Sequence, residues 1–85
     1  MAIIPVLKNA MAAKEETSKV VFAVQWYDVG KRALEGLNGV KKVERGRYLI
    51  YEINTVYFDS NKITEKEMKE ILIKVGTYIK TIKSE

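Results

Sequence analysis

Between residues 20 and 82 the apolar side chains change period in a set order. They form a short, nearly continuous run, then recur at helical spacing, then fall in two β-rich stretches, then recur at helical spacing again, and finally form a short β-rich run. That order is strand, helix, strand, strand, helix, strand. It constrains the fold more than any other feature of the chain, because right-handed strand–helix–strand crossovers close on one another in very few ways.

The elements can be read one by one. Residues 20–26, VVFAVQW, are β-rich and largely apolar, as in a central strand. Asp28 is placed to cap the helix that follows, which carries Val29, Ala33 and Leu37 on one face. Asn38 and Gly39 end it, Gly39 being free to take a left-handed conformation. Two strands are expected at residues 40–45 and 48–58, turning near Gly46. Thr64-Glu65-Lys66-Glu67 is a capping box, and Ile63 and Met68 occupy the positions of a hydrophobic staple. The second helix should bury Met68, Ile71, Leu72 and Val75 and stop at Gly76, leaving residues 77–82 as the last strand. Ahead of all this, residues 3–16 repeat apolar side chains at helical spacing, with Pro5 suited to a first turn. The fold expected is α+β: a ferredoxin-like βαββαβ split sandwich, an antiparallel sheet with two helices on one face, plus an extra N-terminal helix. The chain divides into residues 1–18, the amphipathic helix and its connection, and residues 19–85, the domain.

Eighty-five residues make one small core, whose stability association would help. With 47% hydrophobic and 31% charged residues, the composition is that of a folded domain. The absence of cysteine rules out disulfides and thiol chemistry, and with histidine absent too the common general base is missing. Glycines 36, 39 and 46 punctuate turns and form no phosphate loop. No enzyme is expected and no cofactor is implied. No apolar run approaches the ~20 residues of a membrane span. Residues 1–7 lack a cationic leader and Lys8 interrupts them, so a cytoplasmic location is expected.

The net charge of +4 contains one local cluster, Lys41, Lys42, Arg45 and Arg47, the candidate for an anionic partner. Nucleic acid is the weaker reading of it. Arg45-Gly46-Arg47-Tyr48 is only a fragment of an RNA-recognition pattern, although Tyr51 and Tyr57 share a strand beside it. For metal, Asp28 with Glu35 offers oxygen ligands and Met11 a thioether, a weak set.

Ala33-Leu34-Glu35-Gly36-Leu37-Asn38-Gly39-Val40-Lys41-Lys42-Val43, then Thr55-Val56-Tyr57-Phe58-Asp59, then Ile63-Thr64 through Gly76-Thr77-Tyr78 together resemble the heavy-metal-associated domain family of copper chaperones and transporter N-terminal domains. The resemblance implies the same ferredoxin-like fold and a metal loop just before the first helix. It also implies an added bulge or a longer turn in the pair of strands at residues 40–45 and 48–58. That family holds soft metal with a Cys-x-x-Cys loop, and this chain has no cysteine to offer. The two positions would fall near Ala23 and Trp26, or the loop is shortened. The family's metal residues therefore transfer to no position here. What the resemblance leaves is a domain that docks on similar domains, without the cargo.

If Phe22, Val24, Val56 and Phe58 face the helices, strand alternation turns Val21, Ala23, Leu49, Tyr51, Ile53 and Tyr57 the other way. That is an apolar and aromatic surface where a sheet with one covered face would be polar. The expected function is a protein-interaction or oligomerisation module, with homo-oligomers formed through this face, through the N-terminal stripe of Ile3, Ile4, Leu7 and Met11, or both. The other cover for the face is the N-terminal segment of the same chain, folded across its own sheet in a three-layer monomer. A related heavy-metal-associated domain is a further candidate partner. Two alternatives stay open: a metal accessory protein with non-cysteine ligands, and a nucleic-acid or small-molecule module on the same face.

Overall fold

A computed structural model describes residues 17–85. The expected N-terminal helix, with Ile3, Ile4, Leu7 and Met11, lies outside the described residues. The elements are β1 (Ser18–Val24), α1 (Tyr27–Glu35), β2 (Val40–Tyr48), β3 (Tyr51–Phe58), α2 (Glu65–Lys74) and β4 (Tyr78–Ser84). The four strands form one antiparallel sheet in the order β2-β3-β1-β4. This α+β arrangement is compatible with a ferredoxin-like fold.

The core lies between the helices and one sheet face. Val20, Phe22 and Val24 of β1, Val56 and Phe58 of β3 and Val43 of β2 bury against Leu34 of α1 and Met68 and Leu72 of α2. The alternation in β1 and β3 thus sets the helix-facing side as expected. Edge-on packing of Tyr78 against Phe22, with ring centroids 6.2 Å apart, closes the β4 side.

Helix α2 begins and ends on local chemistry. The hydroxyl of Thr64 accepts from the Glu67 amide at 3.1 Å while the Glu67 carboxylate accepts from the Thr64 amide at 2.9 Å, a complete capping box. Ile63 and Met68 are both buried in the core, as a staple requires. At the other end Gly76, at φ +79°, donates to the Ile73 carbonyl and Thr77 donates to that of Leu72. These two bonds are a Schellman motif. Val75, expected to be buried, is 44% exposed, because the chain turns away one residue beyond it.

Helix α1 departs further from expectation. Asp28 does not cap it: Trp26 holds the cap position without a side-chain bond, and Asp28 lies in the first turn. The free amides are met from elsewhere. Thr77 Oγ1 accepts from the Trp26 amide at 2.9 Å and Glu52 Oε1 from that of Tyr27 at 2.8 Å. The helix buries Gly30 and Leu34, with Val29, Ala33 and Leu37 only half-buried. A Cβ on Gly30 would stand 1.9 Å from Oδ1 of Asn54, so glycine lets helix and sheet approach there and centres the contact on residues 30 and 34. Gly36 caps the helix; Gly39, at φ +99°, makes the later turn into β2.

The turn near Gly46 is not there. Gly46 pairs with Ile53 inside the ladder, β2 runs on to Tyr48, and Leu49 and Ile50 form the connection. The expected irregularity exists, but it lies between Val40 and Lys42 at the start of β2.

Candidate interaction surface

The sheet face turned away from the helices is built from the alternate residues of all four strands. Register sets Ala23 beside Ile53 and Lys80, Val21 beside Thr55 and Lys83, and Tyr57 beside Lys42. Bulges in β4 bring Ile82 as well as Lys83 to this side. Val21, Tyr48, Ile53, Tyr57 and Ile82 line a shallow groove of ≈ 480 Å³, bordered by lysines. Of the face expected from alternation, Val21, Ala23, Tyr51, Ile53 and Tyr57 are present. Leu49 is not: it sits in the hairpin connection at φ +56°, beyond the sheet. Ala23 is fully buried and Val21, Tyr51, Ile53 and Tyr57 are half-buried.

Lysines and tyrosines are interleaved across this face. Lys19 and Lys42 stand 6.0 and 5.8 Å from the centre of the Tyr57 ring, and Lys80 stands 4.9 Å from that of Tyr51. Each lysine covers apolar surface with its stem while its ammonium stays at the solvent edge. Lys42 pairs with Glu44 at 3.0 Å and Lys83 with Glu85 at 2.8 Å. Hydrogen bonding to these partners holds the Glu44 and Glu85 carboxyl groups below their ordinary range and raises Lys42 and Lys83.

The basic cluster is not brought together. Lys42 looks out over this face, whereas Arg45 pairs with Asp28 at 2.5 Å and Arg47 with Glu52 at 3.9 Å on the helix side. The Lys41 ammonium reaches the Thr17 hydroxyl at 2.8 Å. The bond to Asp28 raises the Arg45 guanidinium above its ordinary value. Sequence alternation along β2 carried the signal for this split.

For the metal reading, the two positions near which the family's cysteines would fall are Ala23, buried within β1, and Trp26, in the two-residue connection Gln25–Trp26. Neither side chain can ligate. Asp28 is held by Arg45, and Glu35 by Lys31 at 2.6 Å. Among the described residues no three Asp, Glu, His or Cys side chains gather. The donor set does not fit a soft metal ion; Met11 lies outside the described residues. Among those residues no helix is long and apolar enough to cross a membrane.

Two features escaped the sequence reading. Asn54 and Thr77 are fully buried polar residues that tie the start of α1 to the sheet. Asn54 Nδ2 donates to the Tyr27 carbonyl at 3.0 Å, and Thr77 Oγ1 bonds both the amide and the carbonyl of Trp26. A polar residue sharing the apolar parity of Val56 and Phe58 was the available signal for Asn54.

Comparison of the chain with protein-family profiles, with characterised proteins and with solved structures found no match.

Proposed function

We propose that this chain is a cysteine-less relative of the heavy-metal-associated domains, of ferredoxin-like fold, and works without catalysis as a protein-interaction or oligomerisation module. The observation that carries the reading is the groove of Val21, Ile53, Tyr57 and Ile82 on the sheet face away from the helices. A domain of this size has a small core, and burying such a strip against another chain adds to its stability. The test is Ile53→Asp, with Val21→Lys as a second variant, in the full chain. Both should keep the wild-type circular dichroism and lower the mass measured by light scattering to that of a monomer. Unchanged mass in both variants would remove this face from the assembly.

A second reading rests on the lysine–tyrosine interleaving, which suits a single-stranded nucleic acid stacking on Tyr51 and Tyr57. It requires affinity that falls steeply with salt. A metal accessory role requires stoichiometric retention of Cu(I) or Zn(II) after gel filtration. The interaction module shows neither.

A further inference from the structure

The exposed apolar residues are not scattered. β1, β2 and α2 run toward one pole of the domain, and β3, β4 and α1 start from it. Every large hydrophobic side chain exposed among the described residues lies at that pole. Leu49 and Ile50 are 78% and 85% exposed at the tip of the β2–β3 hairpin. Trp26 follows β1 and is 53% exposed, and Val75 follows α2. The β1–β3 register pairs Val24 with Glu52, and two more residues along it bring Trp26 level with Ile50. The bonds of Thr77 to Trp26 draw the α2–β4 connection to the same place. The opposite pole carries Asn38, Asp59, Ser60, Asn61, Lys62 and Glu85 instead.

The tip is built against local preference. A two-residue hairpin connection whose first residue alone takes positive φ favours glycine there, because that φ costs a residue without a Cβ nothing. Here Leu49 takes φ +56° and is followed by a β-branched residue, and both are presented to solvent. Folding gains nothing from two aliphatic side chains there; an apolar phase outside the domain would.

We infer that this pole docks on an anionic lipid surface, the Leu49–Ile50 tip entering the headgroup–acyl boundary. Trp26 and the tyrosines flanking the tip, Tyr48 and Tyr51, suit the interfacial level, where an amphipathic ring has one face apolar and one edge wet. The charge at the rim fits the same occupant. Arg45, Arg47, Lys74 and Lys80 stand near this end against Asp28 and Glu52, so the pole is net cationic and attracts a negative surface. The same charge opposes the pole of a second copy. This site adjoins the sheet face and shares Tyr48, Tyr51 and Lys80 with it, but it is carried by Leu49, Ile50 and Trp26 and does not rest on the interaction reading.

The experiment uses the full chain and its only tryptophan, Trp26. Vesicles of phosphatidylcholine with phosphatidylserine, and of phosphatidylcholine alone, are titrated while Trp26 emission is followed, with brominated acyl chains as quencher. Emission should shift to the blue and be quenched with the anionic vesicles only, less so at high salt. The variant Leu49→Gly/Ile50→Asn should fold at least as well as the wild type and partition about tenfold or more weakly, since it removes the apolar anchor and keeps the charge. No blue shift with anionic vesicles overturns the inference. So does equal binding by the variant, which would make the attraction purely electrostatic or place it elsewhere in the chain. A blue shift that follows protein concentration without vesicles assigns the pole to self-association and overturns it too.

Discussion

At Gly30 a single hydrogen decides how closely helix and sheet approach. Alanine in a helix normally stabilises relative to glycine. Here its Cβ would stand 1.9 Å from Asn54 Oδ1, within a fully buried contact. Gly30→Ala should therefore destabilise, by about 1–3 kcal/mol. In an Asn54→Ala background that cost should shrink or reverse, and urea unfolding of the four proteins measures the coupling. Additive effects would mean that the two residues do not meet. A second residue-scale prediction concerns acid. Glu44 and Glu85, hydrogen-bonded to Lys42 and Lys83, have depressed carboxyl values in the folded chain, so as pH falls the unfolded chain takes up protons first. Their support is present above the ordinary value of 4.5 and is lost as pH falls through the lower native values. Both pairs lie at the solvent-exposed surface, so the contribution is small and screened by salt. Glu44→Gln/Glu85→Gln should make the acid limb of the unfolding midpoint shallower, and salt should narrow the difference. Neither Asn54 nor Gly30 announced its partner in the sequence. Their contact spans 24 positions, and a local period carries no record of it.

Among the elements, α2 was the most legible because its instructions are local. Thr64 and Glu67 meet within one turn, and Gly76 supplies the left-handed residue that its Schellman motif needs. Thr64→Ala should cost about 1 kcal/mol, read by thermal or urea unfolding. The β2–β3 hairpin was the least legible. Gly46 carried the only turn signal in its neighbourhood, yet it lies in the ladder opposite Ile53. A Cβ there would meet Ile53 only at ordinary contact distance, 3.5 Å, so glycine is not demanded by sterics. Gly46→Ala should be neutral or slightly stabilising. The true turn hid because Leu49 and Ile50 read as strand residues by composition. Replacing them with Gly-Asn should raise stability by about 1–2 kcal/mol, the amount that positive φ costs a branched side chain. A fall in stability would mean that the aliphatic tip packs on something within the chain. The start of α1 was missed for a further reason: its amides are satisfied by Glu52 and Thr77, from two other elements.

For the molecule as a whole, the order of elements and the division of β1 and β3 into two faces follow from alternation, and both were legible. The polarity of its two ends was not, because the apolar pole is assembled from separate connections that only the fold brings together. Nor did the sequence show that the cationic run of β2 divides, Arg45 and Arg47 going to acids on the helix side while Lys42 stays on the other face. The molecule that results has an apolar groove on one sheet face, lysines around it and a hydrophobic tip at one end. Burial of the groove by association is the proposal on which the function rests. Light scattering of the metal-free full chain, across a range of concentrations and at high salt, tests it most directly. A constant mass of two or more chains is expected, insensitive to salt because apolar contact drives it. A monomer at every concentration would contradict it.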